Sequence, residues 1–214
     1  MGIISAMAGA LVACEPASID VKYRVEITEA VGVSDTSSSG PRLGANWRVD
    51  SYGLAAIFGN PDQEDAKILW DQALYTRDSV SESVVVAFGD PRRTDAEVPF
   101  SSSSPREFSR TRAGRTQPPT VIPAGAKIEV QLLPRSKAAW REFTDGSGGF
   151  WYNTETLFDT PLRPDMADEE RRRIAHRAVG EEFVVTIPVQ VEGNVLLHHY
   201  RFRVTGAEPH AARY

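Results

Sequence analysis

The chain has 214 residues, 41% of them hydrophobic and 25% charged, with a net charge of −5 and a mean hydropathy of −0.31. That composition can bury a core and excludes global disorder. A pI near 5.5 repels polyanions, so nucleic acid is not an expected partner, and a single cysteine excludes an internal disulfide and a cysteine-rich metal site.

The first 13 residues carry no charge and run into Cys14, the sole cysteine. The run is too short to cross a bilayer, which takes about 20 apolar residues, but has the length of a secretory h-region. Its last residues, Leu11-Val12-Ala13-Cys14, resemble the lipobox of bacterial lipoproteins. The resemblance implies cleavage before Cys14, a diacylglyceryl group on the thiol, and a lipid-anchored protein of the bacterial cell envelope, at the outer membrane or the periplasmic face. Glu15-Pro16-Ala17-Ser18 would then be a short tether, with the membrane as partner through the acyl anchor. The alternative for the same residues is a buried N-terminal helix in which the cysteine is a small apolar filler.

Val21 to Thr28 alternate strictly between apolar and polar residues, which predicts a half-buried strand. A Ser/Gly/Pro loop follows, then one or two strands between Trp47 and Phe58. Asn60-Pro61-Asp62-Gln63 reads as a helix start, and Ala66, Leu69, Trp70 and Ala73 fall on one helical face, although AKILW also suits a strand. Ser83 to Phe88 reads as a buried strand. Residues 92–119 are rich in Ser, Arg and Pro, with six arginines among few acids, and read as a solvated loop or linker. Lys127 to Leu132 alternates again, and Trp140 to Asp159, aromatic and Gly-rich, reads as loops.

Asp165 to Gly180 predicts a helix capped by Asp165 and stopped by Gly180, with Asp168–Arg172 and Glu169–Arg173 pairs on its surface. The last element is a hairpin, Glu182–Glu192 and Val195–Val204 around Gly193-Asn194. That turn places Val191 opposite Leu196, Val189 opposite His198, Ile187 opposite Tyr200, Val185 opposite Phe202 and Phe183 opposite Val204. Pro188 marks its strand as an edge or a bulge. The expected fold is mainly β, an antiparallel β-sandwich with two short helices. A signal-like segment (1–13), a β-rich part (14–91), the 92–119 loop and a second β-rich part of the same sandwich (120–214) divide the chain.

Asp145-Gly146-Ser147-Gly148-Gly149 is similar to the nucleophile loop of trypsin-like proteases with its first two residues inverted. No histidine precedes it, so it reads as a flexible turn and no catalytic residue is assigned. Around it, Trp140, Asp145, Phe150, Trp151 and Tyr152 form the candidate ligand or partner surface, able to stack on a glycan or an apolar protein partner. Their other reading is a plug at the end of the sandwich. Neighbours on a strand point to opposite faces, so His198 and His199 do not chelate one ion: His198 is expected in the core with its polar atoms satisfied, His199 outside. No phosphate loop, dinucleotide fingerprint or zinc motif occurs, and no cofactor or metal is expected. These features favour a non-catalytic binding or structural role at the envelope. A virion or other assembly component with an extended N-terminal arm, and a hydrolase whose carboxylates the sequence does not pair, remain the alternatives.

Overall fold

Strict alternation produces long strands here, and their inward faces meet. The computed structural model describes residues 19–31, 43–88, 107–111, 117–142 and 149–211. Strands β1 (Ile19–Val31), β2 (Gly44–Asp50), β3 (Gly53–Gly59), β4 (Ala66–Ile68), β5 (Leu74–Arg77) and β6 (Val80–Phe88) are followed by β7 (Glu107–Thr111), β8 (Thr120–Ile122) and β9 (Lys127–Pro134). Then come β10 (Ala138–Glu142), β11 (Gly149–Asn153), a helix α1 (Asp168–Ala175), β12 (Glu182–Val191) and β13 (Asn194–Ala211). The mainly β expectation holds.

The two-sheet sandwich does not. Eight antiparallel strands run β13-β1-β2-β3-β9-β6-β5-β12, and β12 pairs with β13 to close the ring. The architecture is a barrel. Closure comes from β13, which at 18 residues pairs with β1 along one edge and β12 along the other. Alternation in the sequence names the buried face of each strand but is the same for a sandwich and a barrel. β4 pairs with β12 beyond the end of β5 and carries β8 outside the ring.

Inside, Phe58, Trp70, Phe183, Tyr200 and Phe202 are fully buried with Leu54, Leu132, Val185 and Ile187. Phe202 stacks on Phe183 at 4.8 Å between ring centres, and Trp47 meets Phe58, Tyr200 and Phe202 edge-on. Such aromatic pairs add about 0.5–1.5 kcal/mol each beyond the area they bury.

Several local expectations are corrected. The segment after Asn60 is no helix but takes the strand alternative of AKILW: it holds β4 and one 3-10 turn at Trp70–Gln72. Asn60 caps a turn instead, its Oδ1 accepting from the Asp62 N–H while its Nδ2 donates to the carbonyls of Glu64 and Ile122. The 140–159 stretch holds β10 and β11, and β7 lies within the 92–119 segment. Helix α1 begins at Asp168 with no side-chain cap, and its ion pair is Arg171–Asp168 at 2.8 Å, three residues apart. Gly180, at φ +96°, ends the region as expected.

The β12–β13 turn is Glu192-Gly193, both at positive φ (48° and 85°), so the hairpin register moves by two. Phe183 faces Phe202, Val185 faces Tyr200, Ile187 faces His198 and Val189 faces Leu196. A shift of two keeps every side chain on its expected face. β12 is not an edge strand: Pro188 sits where its partner changes from β5 to β4, and its carbonyl accepts from the Leu69 N–H at 3.0 Å.

Candidate functional site

Val85 and Leu133 face each other on the outer wall of the barrel, on β6 and β9. Both are apolar and buried, because the small sheet β10-β11-β7 is laid over them. Its middle strand β11 supplies Trp151, 3% exposed, which packs on this pair and meets Trp140 edge-on at 5.3 Å. The Arg135 guanidinium lies 3.9 Å from the centre of the Trp151 ring, a cation–π contact. Two residues along β11, the Asn153 Nδ2 donates to the Tyr52 carbonyl at the β2–β3 turn. A tryptophan and an amide therefore clamp the small sheet to the barrel.

The aromatic cluster read from the sequence is thus partly a seam. Trp140 is half-buried and Trp151 buried within it. The backbones of Phe150 and Tyr152 pair with Arg141 and Ala139 on β10, while their side chains, Asp145 and Cys14 lie outside the described residues. The wall under the seam joins β6, expected as a buried strand, to β9, read only as an alternating one. Val84-Val85-Val86 and Leu132-Leu133 are apolar on both faces, a sign that each strand is covered on both sides.

Two clefts open along the seam. One, of about 460 Å³, runs between Trp70, Asp71, Val85, Pro118, Arg135 and Trp151. At its side the Gln117 amide bonds the backbone of Val84 and Val86 and caps the open edge of β6. The other, of about 580 Å³, lies under Tyr52 and Asn153 and reaches Ile19, where the described chain enters the barrel. A larger depression of 740 Å³ surrounds the Asp78-Ser79 turn, but its charges are already paired: Arg77 with Asp78 and Glu181, Arg201 with Glu29.

His198 is fully buried in the barrel, as expected, yet neither ring nitrogen has a hydrogen-bond partner among the described residues. The Tyr75 and Tyr200 hydroxyls and the Trp47 indole N–H are likewise unpartnered there. Burial, with a smaller contribution from His199, pushes the His198 pKa down to about 4, so its imidazole is neutral at pH 7. His199 points outward and its Nδ1 meets the Thr186 hydroxyl at 2.9 Å. No group of three His, Cys, Asp or Glu side chains placed to hold a metal ion occurs among the described residues.

Comparison with protein-family models, curated proteins and solved structures returns no match.

Proposed function

We propose that this chain is a lipid-anchored protein of the bacterial cell envelope, held by an acylated Cys14, whose barrel has a non-catalytic binding or structural role. The observation that carries the reading is Leu11-Val12-Ala13-Cys14 at the end of an uncharged run, with β1 starting at Ile19. Four residues lie between Cys14 and Ile19, and the five Cα–Cα steps reach at most about 18 Å even when fully extended. A tether that short holds the Ile19 end of the barrel close to the headgroups. Each buried methylene of the acyl chains contributes about 0.8 kcal/mol, so two or more chains retain the protein firmly.

The partner surface of this reading is the pair of clefts that open along the seam, where a protein or a glycan can be bound. The anchor is tested by metabolic labelling with a clickable fatty acid. Wild type incorporates the label and sediments with membranes; Cys14→Ala does neither. A Cys14→Ala chain that stays on the membrane, or a mature protein retaining Met1 by mass spectrometry, overturns the reading.

A further inference from the structure

We infer that the cleft under Tyr52 and Asn153 is a carbohydrate site. The inference rests on the proposed binding role of the barrel and is independent of the lipid anchor. Asn153 presents the first sign: its Nδ2 is spent on the Tyr52 carbonyl, while its Oδ1 is buried with no partner among the described residues. A buried acceptor without a donor is costly, and a modest rotation of the half-buried Asn153 side chain at the cleft wall would bring it to a ligand hydroxyl that relieves that cost.

The rest of the cleft is also richer in acceptors than in donors. The carboxylates of Glu155 and Asp159 border it, both drawn to the Lys137 ammonium at 2.8 and 3.5 Å, yet still 65% and 82% exposed. Thr154 adds a hydroxyl to the lining. Two carboxylates against one ammonium leave a single negative charge. That repels an anion and is too little to strip a divalent cation of its water. The fitting ligand is therefore neutral and brings its own donors.

A sugar does so. Adjacent ring hydroxyls donate to planar carboxamide and carboxylate groups, and the C–H face of the ring needs apolar surface. Ile19, Pro161 and Leu162 line the cleft beside Tyr52 and supply that surface. At about 580 Å³ the cleft lies within the range of small-ligand sites.

The test is a titration of the full chain with two neutral oligosaccharides, chitotetraose and maltotetraose, followed by amide NMR shifts and calorimetry. At least one is expected to bind with saturable shifts clustered at Tyr52 and residues 153–156. Asn153→Ala and Asp159→Asn should each weaken it about tenfold, the loss of roughly one hydrogen bond. Asp159 is exposed, so its variant keeps the test open if Asn153→Ala fails to fold. Absence of shifts with both saccharides, shifts elsewhere, or binding indifferent to both variants overturns the inference. Fatty-acid labelling at Cys14 reads the anchor separately, and either result can fail without the other.

Discussion

At the scale of single residues, His198 and Trp151 carry the clearest consequences. His198 is held neutral inside the barrel, with its pKa pushed down to about 4 from an ordinary 6.5. Between those values the unfolded chain binds a proton that the folded one does not, so stability rises with pH across that window. Full stability is present above about pH 6.5, and about 3 kcal/mol is lost as the pH falls to 4. His198→Leu should therefore flatten the melting temperature between pH 7 and 4.5, as read by calorimetry. A variant as acid-sensitive as wild type would refute the assignment. Trp151 is expected to behave as core: Trp151→Ala should cost about 3–5 kcal/mol in denaturant unfolding. A change below about 1 kcal/mol would mean that the indole is a surface group. The burial of His198 was legible from its place on an apolar strand face. Its lack of partners among the described residues was not, because hydrogen bonding in the interior depends on which strands lie across the barrel.

At the scale of elements, the strands were readable wherever one face meets the core, as in β1, where Val21 and Tyr23 turn inward and Lys22 and Arg24 outward. Turn chemistry was less reliable. Gly193-Asn194 looked like the centre of the last hairpin, but the chain turns at Glu192-Gly193. Glu192 pays for a left-handed conformation, φ 48°, that asparagine adopts more readily. Glu192→Asn should accordingly stabilise the protein by about 0.5 kcal/mol or more, measured as a shift in the denaturation midpoint at unchanged slope. A destabilised variant would argue that the Glu192 side chain makes a contact outweighing the strain. The segment from Asn60 to Ala73 misled for a different reason. Capping residues and apolar spacing there suit a helix locally, yet the edge of β12 offers Ala66–Ile68 a strand partner and β8 adds another. Tertiary pairing overrode a weak local preference.

At the scale of the whole molecule, closure distributes stability. β12 and β13 are bonded to each other and to further strands, and their side chains fill the barrel centre. The small β10-β11-β7 sheet rests on a satellite cluster of Val85, Leu133 and Trp151. Amides in the middle of β12 and β13 should exchange with deuterium only through global unfolding, while those of β10 and β11 exchange through local detachment of the sheet. Equal protection in native-state exchange would show that the seam and the barrel open as one unit. The candidate clefts belong to this scale too. Tyr52 and Asn153 are joined across the seam by one hydrogen bond although 101 residues apart, and no local pattern announces that meeting.

The sequence by itself determined the mainly β character, the inward face of most strands and the end of the helical region at Gly180. All of these follow from spacing along a few neighbouring residues. Only the tertiary structure decided that the sheet closes into a barrel, that Trp151 is a clamp and that an acceptor-rich cleft forms under Tyr52 and Asn153. Those features depend on which strand edges and side chains meet across long separations in the chain. Alternation is silent about that, because it records which face is buried and not what buries it.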